Sequence, residues 1–320
     1  MADAAAGDKK TVTVDGVEET TEWVDHDGRH FYTRTFKAAP QQQQQQQNQQ
    51  SQTQATVATV TIVHGLGEHI DRYEELARTL ARKGIETIGF DQRGFGKTGR
   101  RGGRLGDSEG MDLVADDIEF INTRIARPGV PHFLFGHSMG GLNVINYALH
   151  KNGDAHIRGV IASAPALAPG KPLLPPRPVI FALHQVARLA PGLQKSTGIS
   201  VDMLTSNPVE VEKFNASTDI IGHCALRTLA DIIARGASAI ERAPSFTTPV
   251  LLVHADGDKA TDCDGTRRFF ERLPDSLDKE FTEVKCNYHE LHFEQDLGFD
   301  LLDSYAQWIL DRATAPSSDE

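Results

Sequence analysis

A mostly parallel β-sheet with helices on both faces and a helical cap inserted late in the chain is the α/β fold that this 320-residue sequence predicts. Three observations point to it. Apolar runs of strand length alternate with segments of helical periodicity from Val57 to Leu149, and such alternation specifies parallel strands joined by helical crossovers. The rhythm breaks at Pro165 and resumes at Val250, the mark of an insertion into the sheet domain. Within the first stretch, Gly136-His137-Ser138-Met139-Gly140 joins the apolar run Phe133-Leu134-Phe135 to Leu142, Ile145 and Leu149 at helical spacing, so a serine sits on a tight turn between a strand and a helix.

The elements follow in order. Residues 1–10 read as a loose tail, and Thr11 to Val14 with His30 to Phe36 read as an antiparallel hairpin around Asp25, Asp27 and Gly28. Residues 41–56 are a glutamine-rich, low-complexity insert that cannot pack a core and is expected to be disordered. Val57 to Val63 is a β-branched run suited to a strand buried on both faces. Tyr73, Leu76 and Leu80 mark a helical face that Gly84 stops. A strand at Glu86 to Phe90 leads into the glycine-dense loop Asp91 to Gly96, read as turn chemistry bracing the serine, and Val114, Ile118, Ile121 and Ile125 repeat at helical spacing. Gly159 to Ala164 is a further strand. Residues 165–244 form the expected cap or lid, rich in proline and carrying the short apolar segment Val179 to Ala190. The core, 11–164 and 245–312, closes with a strand at Val250 to Val253, a helix around Phe269 to Leu273, a strand at Phe281 to Val284 and a last helix presenting Leu301, Leu302, Tyr305, Trp308 and Ile309. Residues 313–320 read as a tail.

Composition limits the function classes. A net charge of −11 argues against a nucleic-acid partner, because phosphates are held by an excess of Lys and Arg. Cys224, Cys263 and Cys286 show no Cys-x-x-Cys pairing, which suggests neither a disulfide framework nor a zinc site and fits a reducing interior. The N-terminus has acids where a secretory signal has bases, so secretion is not expected. No stretch approaches the roughly 20 apolar residues that span a bilayer. The expectation is a cytoplasmic protein with at most peripheral membrane contact.

A serine hydroxyl is a weak nucleophile at neutral pH; it needs a histidine to take its proton and a carboxylate to orient that histidine. For a nucleophile on a strand–helix elbow, the acid follows a late strand and the histidine follows the last one. His254-Ala255-Asp256-Gly257-Asp258 and Tyr288-His289-Glu290-Leu291-His292 occupy those places. Asp256 and Asp258 compete for the acid role, with Asp262 and Asp264 further out. Asp258 is preferred as the fifth position of a His-Gly-x-x-Asp turn, here with Ala255 for the first glycine. His289 is preferred over His292 because it comes first after the strand. The two histidines are three apart, not the four of a zinc-binding His-Glu-x-x-His helix, so no metal is assigned. Acyl transfer also needs donors for the oxyanion; the backbone N–H groups of Met139 and, in His64-Gly65-Leu66-Gly67, of Leu66 are the candidates.

These residues resemble the monoacylglycerol lipases, especially the fungal monoglyceride lipases, within the α/β-hydrolase superfamily. The likeness runs from about Trp23 to Ile309. It is carried by His64-Gly65-Leu66-Gly67-Glu68-His69 with Arg72-Tyr73, by Phe90-Asp91-Gln92-Arg93-Gly94, by Gly136 to Gly141 and by Tyr288 to His292; Ser196 to Ile199 and Ala234 to Ala237 resemble fungal members. The glutamine insert and Ala255 depart from the family pattern. The resemblance implies hydrolysis of a monoacylglycerol to glycerol and fatty acid without a cofactor. It also implies an α/β-hydrolase fold, a Ser138–Asp258–His289 triad, Leu66 and Met139 as oxyanion amides, and Glu68, Arg72 and His292 near the glycerol head group. Val179, Ile180, Phe181 and Leu183 are expected to wall an acyl pocket, or to pack the cap onto the core. The expected partners are a lipid ester and a lipid-droplet or intracellular membrane surface. The alternatives are a lysophospholipase or general carboxylesterase on the same triad, or a non-catalytic interaction protein working through the glutamine tract.

Overall fold

Burial on both faces is what unbroken apolar strands require, and the central strands meet it through a helical layer on each side. The computed structural model describes residues 8–40, 55–150 and 156–314. Its nine-stranded sheet has the order β1-β2-β3-β5-β4-β6-β7-β10-β11. Strands β4 (Ala58–Val63), β5 (Ile85–Phe90), β6 (His132–His137), β7 (Ile157–Ser163), β10 (Val250–Ala255) and β11 (Lys279–Val284) are parallel. Every residue of β4, β5, β6 and β10 is buried. Alternation along β6 sends Leu134 to one apolar layer, and Phe133 and Phe135 to the other. The first layer is covered by α3 (Met111–Ile125), α4 (Met139–His150) and α9 (Cys263–Arg272); the second by α1 (Glu74–Arg82) and α10 (Gly298–Ala313).

The amino-terminal edge is larger than the single hairpin expected. β1 (Lys10–Val14), β2 (Val17–His26) and β3 (Arg29–Ala38) form a three-stranded antiparallel meander. Its turns, Asp15-Gly16 and Asp27-Gly28, have positive φ throughout, as two-residue hairpin loops require. β2 escapes a hydrophobicity pattern because its sequence, VEETTEWVDH, is mostly polar. Its inward Glu19 is buried against Arg34 and Arg78 instead of apolar neighbours. β3 pairs antiparallel with β5. A further helix, α2 (Gly96–Gly102), has no apolar periodicity and was not anticipated; Asp91 accepts its Lys97 N–H at 2.7 Å.

Between β7 and β10 the chain forms α5 (Arg177–Leu189), β8 (Gln194–Ser196), α6 (Val201–Leu204), α7 (Pro208–Ala216), β9 (His223–Ala225) and α8 (Leu226–Arg242), with β8 and β9 pairing as a small separate sheet. The glutamine tract and most of both terminal tails lie outside the described residues. Among those described, no helix is long and apolar enough to cross a membrane.

Candidate active site

Ser138 stands between the last residue of β6 and the first of α4 with φ at 56°, a conformation that costs a non-glycine residue about 1–3 kcal/mol. The surroundings hold it there. Its N–H donates to the Ser163 carbonyl at 2.9 Å, and its own carbonyl accepts from Leu142 and Ala166, each at 3.0 Å. The turn is this tight because α4 abuts the end of β4: a Cβ at Gly140 would lie 2.0 Å from the Val63 carbonyl oxygen.

The two late loops deliver the other groups. Asp258, just past β10, accepts from the backbone N–H groups of Ala260 at 2.8 Å and Thr261 at 3.1 Å through Oδ1. Its Oδ2 lies 2.6 Å from His289 Nδ1. Burial alone would push the Asp258 carboxyl up, but His289 and hydrogen bonds from His254 and His289 hold it well below the usual carboxylate range. Burial pulls His289 down, yet Asp258 outweighs it and keeps the imidazole above its ordinary value of 6.5. With Nδ1 engaged, His289 Nε2 is buried without a protein partner, and His289 and Ser138 line one cleft. The competing acids are elsewhere: Asp256 accepts from Cys286 N–H, Asp262 caps α9, and Asp264 pairs with Arg267.

His254 is a member that sequence reasoning passed over. Its Nε2 lies 3.2 Å from Asp258 Oδ2, its Nδ1 2.7 Å from Thr266 Oγ1, and both side chains are fully buried. The signal was its place at the end of β10, four residues before the acid. His64 and Gln92 form a second unassigned support. Gln92 N–H donates to His64 Nε2 at 2.9 Å, its side-chain amide donates to the His64 carbonyl at 2.6 Å, and His64 Nδ1 sits 2.8 Å from the Gly65 carbonyl. Burial lowers His64 to about 4, so it stays neutral at physiological pH.

Leu66 and Met139 line a cavity of about 500 Å³ together with Ser138. Of the four residues expected to wall an acyl pocket, only Val179 lines it. Leu183 packs against Ala187, Leu226 and Ala230, and Phe181 is 67% exposed. The apolar wall comes instead from Leu173, Leu174, Ile199, Leu229, Ile232 and Ile233. The sequence leaves the two expectations open for a simple reason: α5 turns its apolar side partly toward α8 and partly outward, and an apolar segment does not say which side meets a ligand. Ser138 also borders a niche of about 40 Å³, lined by Glu68, Arg72, His289 and Glu290 and by Leu204, Phe214, Ile220 and Ile221. Glu68 and Arg72 do border it, but their polar atoms hold protein groups. Glu68 accepts from Gly65 N–H and Tyr73 Oη, while Arg72 reaches Glu68 and both oxygens of Glu290. His292 does not line the niche; it is buried against His137, Tyr73 and Phe293.

Residues 54–296 match the family model Hydrolase_4, described as serine aminopeptidase, S33. A putative monoglyceride lipase of Schizosaccharomyces pombe is 31% identical over 78% of the chain and 67% of its own length. An uncharacterized abhydrolase domain-containing protein of Dictyostelium discoideum is 34% identical over 73% of the chain, which spans only 24% of that relative's length. Among solved structures, the monoacylglycerol lipase of Paleococcus ferrophilus superposes with a TM-score of 0.72 at 30% identity, covering 81% of this chain and 96% of that one.

Proposed function

Because the chain belongs to the Hydrolase_4 family and has the α/β-hydrolase fold, we propose that it is a serine hydrolase that cleaves monoacylglycerols to glycerol and a free fatty acid. Ser138 Oγ attacks the ester carbonyl carbon while His289 Nε2 takes its proton. The N–H groups of Leu66 and Met139 receive the oxyanion, and Asp258 stabilises the imidazolium. Collapse of the tetrahedral intermediate expels glycerol, which leaves with the proton from His289. Water, deprotonated by His289, then attacks the acyl-enzyme; the fatty acid departs and Ser138 recovers its proton.

The observation that carries the substrate reading is the asymmetry around Ser138. Ser138 borders a largely apolar cavity of about 500 Å³ and a niche of about 40 Å³ whose lining adds Glu68, Arg72 and Glu290 to apolar side chains such as Phe214 and Ile221. An acyl chain gains about 0.8 kcal/mol per buried CH₂, so the large cavity suits the fatty acid and the niche a small, uncharged alcohol. A phosphate-bearing head group would meet Glu68 and Glu290 there. An aminopeptidase needs a carboxylate free for the substrate ammonium, and Arg72 engages both of these.

Residues 165–244 act as the cap, and the cap is the membrane-facing part. Its α5 exposes Phe181 and Leu189, the latter 88% exposed. Residues 165–201 contain Lys171, Arg177, Arg188 and Lys195 but no Asp or Glu, within a chain of net charge −11. An apolar, basic face favours peripheral contact with an anionic lipid surface, such as an intracellular membrane or lipid droplet. Three free cysteines suit a cytoplasmic setting.

Initial rates on a monoacylglycerol, a lysophosphatidylcholine and an aminoacyl-4-nitroanilide test the assignment. The monoacylglycerol is expected to give the highest kcat/KM by at least about tenfold, roughly 1.4 kcal/mol of transition-state discrimination. Preference for either of the others would overturn it.

A further inference from the structure

We infer that Arg72 is a positioning residue: gripped between Glu68 and Glu290, it ties the loop that carries the Leu66 amide to the loop that carries His289. The chain of contacts is continuous. Glu68 Oε1 accepts the Gly65 N–H at 2.5 Å and the Tyr73 hydroxyl at 2.7 Å. Glu68 Oε2 takes Arg72 Nη1 at 2.7 Å. The same Nη1 reaches Glu290 Oε1 at 2.6 Å, and Nη2 reaches Glu290 Oε2 at 2.7 Å. Glu290 directly follows His289 in sequence. At the other end, a Cβ on Gly65 would stand 3.2 Å from Ser138 Cβ, so that loop rests against the nucleophile.

The three charged side chains are nearly closed to solvent, at 7% exposure for Arg72, 5% for Glu68 and 4% for Glu290. Phe293 covers the guanidinium at 4.6 Å. Buried charges of this kind hold their geometry because removing one leaves its partners uncompensated. Two carboxylates on one guanidinium leave a net negative charge beside His289. Asp258 and Thr261 face His289 from the β10 loop, with His254 behind them on Asp258, His137 from the end of β6, His292 from its own loop, and Glu68, Arg72 and Glu290 from the clamp. Glu290 and Glu68 add to the upward pull of Asp258 on the imidazole.

The inference rests on the serine-hydrolase reading and not on the identity of the lipid, so the test includes an ester without glycerol. Arg72→Met and Glu290→Gln are assayed on a monoacylglycerol and on 4-nitrophenyl butyrate, with thermal unfolding as the check on folding. Arg72→Met is expected to lower kcat on both esters by the same factor, on the order of 10²-fold for a misaligned site, with KM nearly unchanged. A loss confined to the monoacylglycerol would make Arg72 a head-group ligand and overturn the inference, as would unchanged rates on both. Glu290→Gln removes one carboxylate facing His289, so the rising limb of its kcat/KM–pH profile is expected at lower pH than in the wild type. An unmoved limb contradicts the clamp, and this variant decides alone if Arg72→Met does not fold. A wild type active on the nitrophenyl ester and inert on monoacylglycerol would count against the lipid assignment and leave the clamp test intact.

Discussion

Asp258 holds two histidines on one oxygen, and the two have different consequences. His289 lines one cleft with Ser138, whereas His254, held by Thr266, does not line it. Asp258→Asn should therefore lower kcat/KM on a soluble ester by about 10⁴-fold, the scale set when a triad histidine loses its tautomer control. His254→Leu should cost only about tenfold, or about 1.4 kcal/mol, and Asp256→Asn less than twofold, about 0.4 kcal/mol. A larger loss from Asp256→Asn than from Asp258→Asn would refute the choice of acid. The sign of the pH dependence follows from the raised His289 value. Only the neutral imidazole can take the serine proton, so kcat/KM should climb with pH through an apparent pKa above 6.5. Asp258→Asn removes the largest upward influence and should move that limb down; stopped pH profiles on a soluble ester measure both. The same raised pKa adds stability that is fully present below pH 6.5 and is lost as pH rises through the folded value. The elbow serine, the acid and the histidine were legible because glycine spacing and strand ends constrain them locally. The Arg72–Glu290 pair was not, since its members lie 218 residues apart and only the fold brings them together.

Elements were legible where burial imposes a period. The runs at β4, β6 and β10 are apolar because both sheet faces are covered, and α3 and α10 carry one-sided stripes. Where polar contacts replace apolar burial, as in β2 and α2, the pattern carries no sign of the element. In α5 the apolar segment was readable but the partner of each face was not. That distinction predicts different phenotypes along one helix. Phe181→Asp and Leu189→Asp alter exposed positions, and should weaken activity on dispersed long-chain lipid at least about threefold, roughly 0.65 kcal/mol, more than on 4-nitrophenyl butyrate. Leu183→Asp places a charge where a half-buried side chain packs on Ala187, Leu226 and Ala230; an unpaired charge there disrupts that packing, so both activities should fall together. Paired assays on the two substrates separate these outcomes, and equal losses for Phe181→Asp would remove it from the lipid-facing surface.

At the scale of the molecule, the candidate site and the residues that flank the glutamine tract lie at opposite ends of the sheet. Ser138, Asp258 and His289 all follow the carboxyl ends of parallel strands, where ligands of open α/β sheets bind. Pro40 and Ala55, the described residues that flank the glutamine tract, share a groove with Gly84 and Arg127, which precede β5 and β6. Because β3 runs antiparallel to β5, it delivers the chain to that far end, a relation the strand alternation already implied. Replacing residues 41–54 by a short Gly/Ser turn should leave kcat/KM on a soluble ester within about twofold, less than about 0.5 kcal/mol, since loop closure changes by only about 0.6 kcal/mol per doubling of length. A tenfold loss in folded protein would contradict this placement. The central claim is that an acyl group from a monoacylglycerol passes through Ser138. Its most direct measurement is fatty acid release from a monoacylglycerol by the wild type and by Ser138→Ala under identical conditions. The account predicts turnover by the wild type and a fall of at least about 10⁴-fold in the folded variant; a variant that releases fatty acid at a rate near the wild type would contradict it.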